Sequence, residues 1–138
     1  MKTISIKSGN YEITLLTKDE YEQYKDRIPP VNYWWWLRSP GSCSDDAAYV
    51  NGFGSVGNGG GDVNYDDGAV RPVIKSMSLN FPIGECFIAL GNRWVMIDNC
   101  MAISQDVITH RQYDPKENVW ETSELKQWLE EWAKEGES

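Results

Sequence analysis

Residues 33–38 read Tyr-Trp-Trp-Trp-Leu-Arg and run directly into a Ser39-Pro40-Gly41 turn. Three adjacent indoles restrict the fold, because neighbouring side chains cannot share one environment. In an extended strand they alternate, so Trp34 and Trp36 share one face while Trp35 and Leu37 share the other. Burying one indole fully contributes about 2–3 kcal/mol from its apolar area. At least two of the three are therefore expected in a core and not on a stacking surface.

The chain can supply such a core. It has 138 residues and 41% hydrophobic content, which suits one globular domain spanning residues 1–138. Its 21 acidic and 13 basic residues give a formal net charge of −8, which argues against gripping a phosphate backbone. That balance suits a soluble protein, or one whose acidic face meets a basic partner. The opening MKTISIKSGN has no apolar signal region, and no window approaches the roughly 20 apolar residues of a membrane span. A cytoplasmic location without membrane contact is expected. The cysteines, Cys43, Cys86 and Cys100, have no CxxC spacing and read as reduced thiols, with a Cys86–Cys100 bridge as the exception.

Along the chain, alternating Ile4 and Ile6, a Gly9-Asn10 turn, then Ile13 and Leu15 predict a hairpin. Thr17 and Glu20 form a capping-box pattern that predicts a short helix ended by Pro29-Pro30. The tryptophan strand follows, from Tyr33 to Arg38. Residues 41–68 are rich in Gly, Asn, Asp and Ser and predict mostly surface loop, with short strand-like pieces at AAYVN and GSV. AVRPVIKS predicts one strand, and CFIAL, a Gly91-Asn92 turn and RWVMID a second hairpin. CMAISQDVI predicts a strand ending in a turn of helix. Leu125, Trp128, Leu129 and Trp132 fall on one stripe of an amphipathic helix, capped by Thr122 or Ser123 and ended by Gly136. The fold class is α+β, with two helices, two hairpins and several short antiparallel strands around a long Gly/Asn-rich region.

WWLRSPG (Trp35 to Gly41), AAYVNGFGSV (Ala47 to Val56) and GAVRPVI (Gly68 to Ile74) together resemble a family of uncharacterised bacterial and phage domains. That family has a Trp-Trp-Leu-Arg-Ser-Pro-Gly block, an Asn/Gly-rich middle and a Gly-Val-Arg-Pro-Ala strand. The resemblance implies a C-type-lectin-like fold, the scaffold of formylglycine-generating enzymes and of retroelement variable receptor-binding proteins. GNRWVMID, AISQDVI and VWETSELKQWL resemble the same family, but there they precede the tryptophan block, and here they follow it. The order implies a circular permutation joined near residues 75–85, or two halves completed across a swapped homodimer. The resemblance makes Trp35 and Trp36 structural and leaves Trp34 free to be exposed.

Arg38 and Arg71 sit beside proline-bearing turns, where a guanidinium can clamp loop carbonyls, so both are expected to be structural, with Trp94 and Trp128. Asp62, Asn64 and Asp66 have an EF-hand-like opening, but the glycine falls one place late and Val73 stands where a bidentate Glu is needed. No metal and no cofactor is expected, with a different loop-type Ca²⁺ site as the alternative. The only histidine, His110, has Asp106 and Asp114 near in sequence, but a catalytic triad needs convergence in space, and a lone histidine in a polar connection is expected at the surface. The copper-binding cysteine pair of the formylglycine-generating enzymes has no counterpart, so fold similarity does not bring that activity.

The candidate binding surface is the loop region: Tyr49, Asn51, Phe53, Asn58, Asp62, Asn64, Tyr65, Asp66 and Asp67 combine aromatic area with adaptable hydrogen bonding. The expected function is a non-catalytic recognition module with a protein partner, or a glycan in second place. The alternative is an acidic phage or mobile-element inhibitor that blocks a host nucleic-acid enzyme by mimicking its substrate.

Overall fold

The computed structural model describes residues 1–137, with the side chain of Asn58 outside the description. Among the described residues, ten strands form two five-stranded sheets, and two α-helices complete a mixed α+β architecture. The strands are β1 (Glu12–Thr14), β2 (Trp35–Pro40), β3 (Asp46–Val50), β4 (Val56–Asp62), β5 (Ala69–Val70), β6 (Val73–Lys75), β7 (Cys86–Ala89), β8 (Asn92–Asp98), β9 (Met101–Ser104) and β10 (Thr109–His110). The helices are α1 (Lys18–Tyr24) and α2 (Glu124–Gly136). The first sheet runs β1-β6-β9-β8-β7 and the second β10-β5-β2-β3-β4. All pairings are antiparallel except β2 with β5. No helix among the described residues is long and apolar enough to cross a membrane.

Strand β2 divides the apolar interior in two. Trp36 packs on one side with Trp94, Tyr113, Trp120 and the α2 residues Leu125 and Leu129. Trp35 and Leu37 pack on the other with Tyr21 and Tyr24 of α1. All three β2 residues are at most 2% exposed, which is the alternation expected of an extended strand. The Trp36 indole donates to the Arg111 carbonyl at 3.0 Å and lies flat against Gly68.

Several local signals form as the sequence predicts. Thr17 and Glu20 make a reciprocal capping box at the start of α1. Ser123 caps α2 by accepting from the Lys126 amide at 3.1 Å. β7 and β8 form a hairpin with Leu90 and Gly91 as its two loop residues, at φ 52° and 72°. Positive φ at both loop residues belongs to the turn whose twist matches that of the flanking strands.

Other expectations are corrected. There is no N-terminal hairpin, because β1 pairs with β6 and the chain around Thr3 makes a parallel bridge to Ile88. Residues 41–68 are mostly turn and loop, as expected, but the strand-like pieces grow into β3 and the glycine-rich β4 (VGNGGGD), an antiparallel pair with a register shift between Ala47 and Tyr49. AVRPVIKS is not one strand; at Arg71-Pro72 the chain leaves the second sheet and enters the first. The segment after β9 forms bends and β10, not a turn of helix. All three cysteines are free, so Cys86 and Cys100 are not bridged.

Two charged side chains tie elements that the ladders do not. Arg71 is 1% exposed and donates to the carbonyls of Ser104 (2.9 Å), Gln105 (3.0 Å) and Pro29, with its guanidinium 5.3 Å from the Trp35 ring centre. Burial lowers its pKa to about 10, which still leaves it charged at neutral pH. Glu20 joins three elements: it accepts from the Thr17 amide at 2.9 Å, and it meets Lys75 of β6 at 3.1 Å and Arg38 of β2 at 3.7 Å. Burial alone would raise its pKa, but the Thr17 amide, Lys75 and Arg38 outweigh it and hold Glu20 below the usual range.

A depressed carboxylate pKa gives stability that is present above the unfolded-state pKa and lost as pH falls through the folded one. Glu20→Gln keeps the capping box but removes the charge, so it should cost about 1–2 kcal/mol at pH 7. In thermal melts the gap to the parent protein should close as the pH falls below the normal glutamate range. Glycine substitutions should separate rigid from yielding contacts. A Cβ on Gly68 would lie 2.1 Å from Nε1 of the fully buried Trp36, whereas one on Gly57 would meet the Tyr49 ring at 2.5 Å. Gly68→Ala should destabilise by about 3 kcal/mol or more, and Gly57→Ala by only about 1 kcal/mol as Tyr49 swings away. Chemical denaturation of the two variants measures the difference.

Candidate functional site

The face of β4 carries glycine at positions 57, 59, 60 and 61, so the strand presents little but backbone. Tyr49 from the paired strand β3 spreads over that bare surface, its ring against Gly57 and 3.7 Å from where a Gly61 Cβ would stand. Glycine is weak in strands because it has no side chain to pack, and the neighbouring ring supplies the missing cover. Gly60 has φ +84°, and a Cβ there would meet the Ala47 carbonyl oxygen at 2.8 Å, so the register shift in the pair depends on glycine.

Beside this glycine floor an open cleft of about 730 Å³ is lined by Tyr33, Trp34, Tyr49, Asn51, Gly52, Gly60, Gly61, Asp62, Tyr65 and Asp67. Trp34 is its centre. Its ring meets Trp36 edge-on at 4.8 Å, Tyr49 at 5.3 Å and Tyr65 at 6.4 Å, and lies nearly parallel to Tyr33 at 6.4 Å. The contact with buried Trp36 joins the surface cluster to the core, so a half-buried indole is held firmly at the cleft base. Edge-to-face pairs of this kind add about 0.5–1.5 kcal/mol each beyond area burial.

The polar groups around the rings are acidic. Tyr33 Oη donates to Asp67 at 3.5 Å, and partial burial followed by the Asp67 charge raises the Tyr33 pKa. Asp46 shares a hydrogen bond with Asp62. Its carboxyl is pushed up by loss of solvent, then by that bond and by the charges of Asp45 and Asp62. None of the lining residues is basic. The arrangement can hold a flat or cationic group by ring faces and carboxylates.

Of the residues expected to bind, Tyr49, Asn51, Asp62, Tyr65 and Asp67 come together in the cleft. Asn51 has a shaping role as well: its side-chain oxygen accepts from the amides of Phe53 (2.8 Å) and Ser55 (3.1 Å), closing the β3–β4 turn. Phe53 is 97% exposed at that turn and lines a separate small pocket with Tyr21, Trp35 and Arg71, so it does not join the cleft. Asn64 and Asp66 are exposed in the turn after β4 and do not line it. The Asn58 side chain lies outside the described residues. Tyr33 is a wall of the cleft that the loop composition did not single out; its signal was its place next to the tryptophan run.

The residues expected to be structural are placed as follows. Trp35, Trp36 and Trp94 are buried, and Trp94 Nε1 donates to the Ala89 carbonyl at 2.7 Å. Arg38 Nε donates to the Leu15 carbonyl at 2.9 Å. Trp128 is half-buried, stacked on Trp132 at 6.3 Å with the Arg111 guanidinium 4.9 Å from its ring centre. His110 is exposed, edge-on to Tyr33 at 4.9 Å, with Nδ1 3.3 Å from the Asp67 carbonyl oxygen.

Asp62, Asn64 and Asp66 are all exposed, and Asp62 turns to Asp46. The group of ligand-capable atoms that the described residues do gather is Cys43, Asp45 and Asp46, within 4.8 Å of one another at the surface.

Comparison with curated proteins and with solved structures returns no match. The family comparison is positive and bears on the cleft: residues 4–75 match the model of a domain of unknown function, DUF6273, a span that holds every cleft-lining residue and ends where β6 ends. The chain belongs to the DUF6273 family.

Proposed function

We propose that the chain is a cytoplasmic, non-catalytic recognition module that binds a protein partner through the cleft around Trp34. The observation that carries this reading is the half-exposed ring cluster itself. Trp34, Tyr33, Tyr49 and Tyr65 present aromatic area to solvent beside the Asp62 and Asp67 carboxylates, at a surface fixed to the core through Trp36. Aromatic anchors with few rotatable bonds, ringed by adaptable polar groups, are what protein-binding surfaces use.

The scaffold we propose is a circularly permuted C-type-lectin-like domain. The family match ends at Lys75, close to the inferred join. Beyond it β9 pairs with β6, and β8 and β7 continue the sheet, so one sheet is built from both halves of the chain. Glu137, just past α2, accepts from the Ser8 amide at 3.1 Å and from Tyr11 Oη at 2.6 Å, contacts between the two halves that support this reading.

Tyr65→Ala and Phe53→Ala separate the cleft from the turn tip. Both are exposed positions, so both variants should melt within a few degrees of the parent. In affinity capture from extracts of the encoding organism, Tyr65→Ala should weaken retention of the partner by roughly tenfold or more, while Phe53→Ala retains it. Equal retention by both variants would reject the cleft. Retention that ignores Tyr65 but collapses with salt would instead favour the acidic inhibitor of a nucleic-acid enzyme.

A further inference from the structure

The cleft has a chemical bias that narrows its ligand. We infer that the group it recognises is a guanidinium, the side chain of an arginine in a basic segment of the partner, seated on the Trp34 ring between the Asp62 and Asp67 carboxylates. This inference rests on reading the cleft as the recognition surface.

Three observations point to that chemistry. First, the walls are ring faces and edges of one tryptophan and three tyrosines, and aromatic faces carry the negative end of the ring quadrupole. Second, the charged lining groups are Asp62 and Asp67, with Asp46 sharing a hydrogen bond with Asp62 and no cation among the lining residues. Among the described residues, the basic side chain in ring contact with a wall is His110, against Tyr33. Third, the acceptor oxygen of Asn51 is already taken by the Phe53 and Ser55 amides, so the charged side-chain acceptors of the lining are the carboxylates.

A planar guanidinium can stack on an indole while its forked N–H groups address a carboxylate at the edge, a combination that an ammonium does not match. At about 730 Å³ the cleft is larger than one side chain and leaves room for flanking backbone along the glycine floor. The net charge of −8 draws such a segment in from a distance. A neutral saccharide could stack on the same rings but would gain nothing from the charge.

The test uses the full chain and defined probes: acetyl-Gly-Arg-Gly-amide, its citrulline and lysine counterparts, and chitotriose. Each is titrated while the indole N–H signals are followed by NMR, with Trp34 assigned by its loss in Trp34→Phe. The arginine peptide should shift the Trp34 signal saturably. The citrulline peptide should bind about tenfold or more weakly, and Asp67→Asn should weaken the arginine peptide several-fold. Added salt should weaken it further. Thermal melting of Asp67→Asn confirms that the variant is folded.

Equal binding of citrulline and arginine, or an unchanged affinity in folded Asp67→Asn, overturns the inference, as does preference for lysine. Chitotriose shifting Trp34 where arginine does not would leave a recognition cleft but assign it to glycans. If none of the probes binds, the guanidinium assignment falls. The fate of the recognition reading is then decided separately, by whether Tyr65→Ala loses the captured partner.

Discussion

The packing of β2 between two apolar clusters is the constraint on which the rest of the structure depends. Trp35 and Leu37 belong to the α1 side and Trp36 to the α2 side, so this one strand couples both helices and both sheets. With each buried indole contributing about 2–3 kcal/mol, the strand accounts for much of the margin by which a small domain is stable. Such a central strand leaves little freedom nearby. Gly68 must be glycine where the Trp36 indole lies on its backbone, and the Arg111 carbonyl must face the indole N–H. The second sheet is thereby registered against the segment that leads toward α2.

Arg71 solves a different problem created by the same architecture. Pro72 interrupts what would be a continuous strand, and the chain passes there from one sheet to the other. A crossing exposes carbonyls that neither ladder can satisfy, and buried carbonyls without donors are costly. The guanidinium answers Ser104, Gln105 and Pro29 together and stacks on Trp35. Its charge is thus spent on backbone, with no carboxylate among the described residues hydrogen-bonded to it. A hydrophobic residue of equal size could fill the volume but would abandon the carbonyls.

How much was legible in the sequence follows from the range of the interactions. The α1 capping box, the α2 stripe and the β7–β8 hairpin are decided within a few residues, and all were readable. β1 was given the wrong partner because its true one, β6, lies some 60 residues on, and an Ile4–Leu15 hairpin satisfied the same alternation. β4 was legible only at its start, in GSV, because GNGGGD has almost no side-chain pattern; its cover comes from Tyr49 on another strand. Composition grouped Tyr49, Asn51, Asp62, Tyr65 and Asp67, and these line one cleft. It could not separate Phe53, which the β3–β4 turn directs elsewhere, nor include Tyr33, which belongs to the approach to β2.

The glycine strand and the tryptophan strand are therefore two halves of one device. A site for a flat or cationic group needs an aromatic surface that is open yet does not move. Aromatic side chains placed freely on a loop would collapse onto one another or onto the protein. Here Trp34 cannot collapse, because strand alternation puts it on the same face as buried Trp36, which holds it edge-on. Tyr49 cannot fill the opening, because it is spread across Gly57 and Gly61 on the neighbouring strand. The space above the remaining glycines stays unfilled for the same reason. Core packing below and missing side chains beside it keep the rings apart, and the cleft follows from that arrangement without a flexible loop to form it.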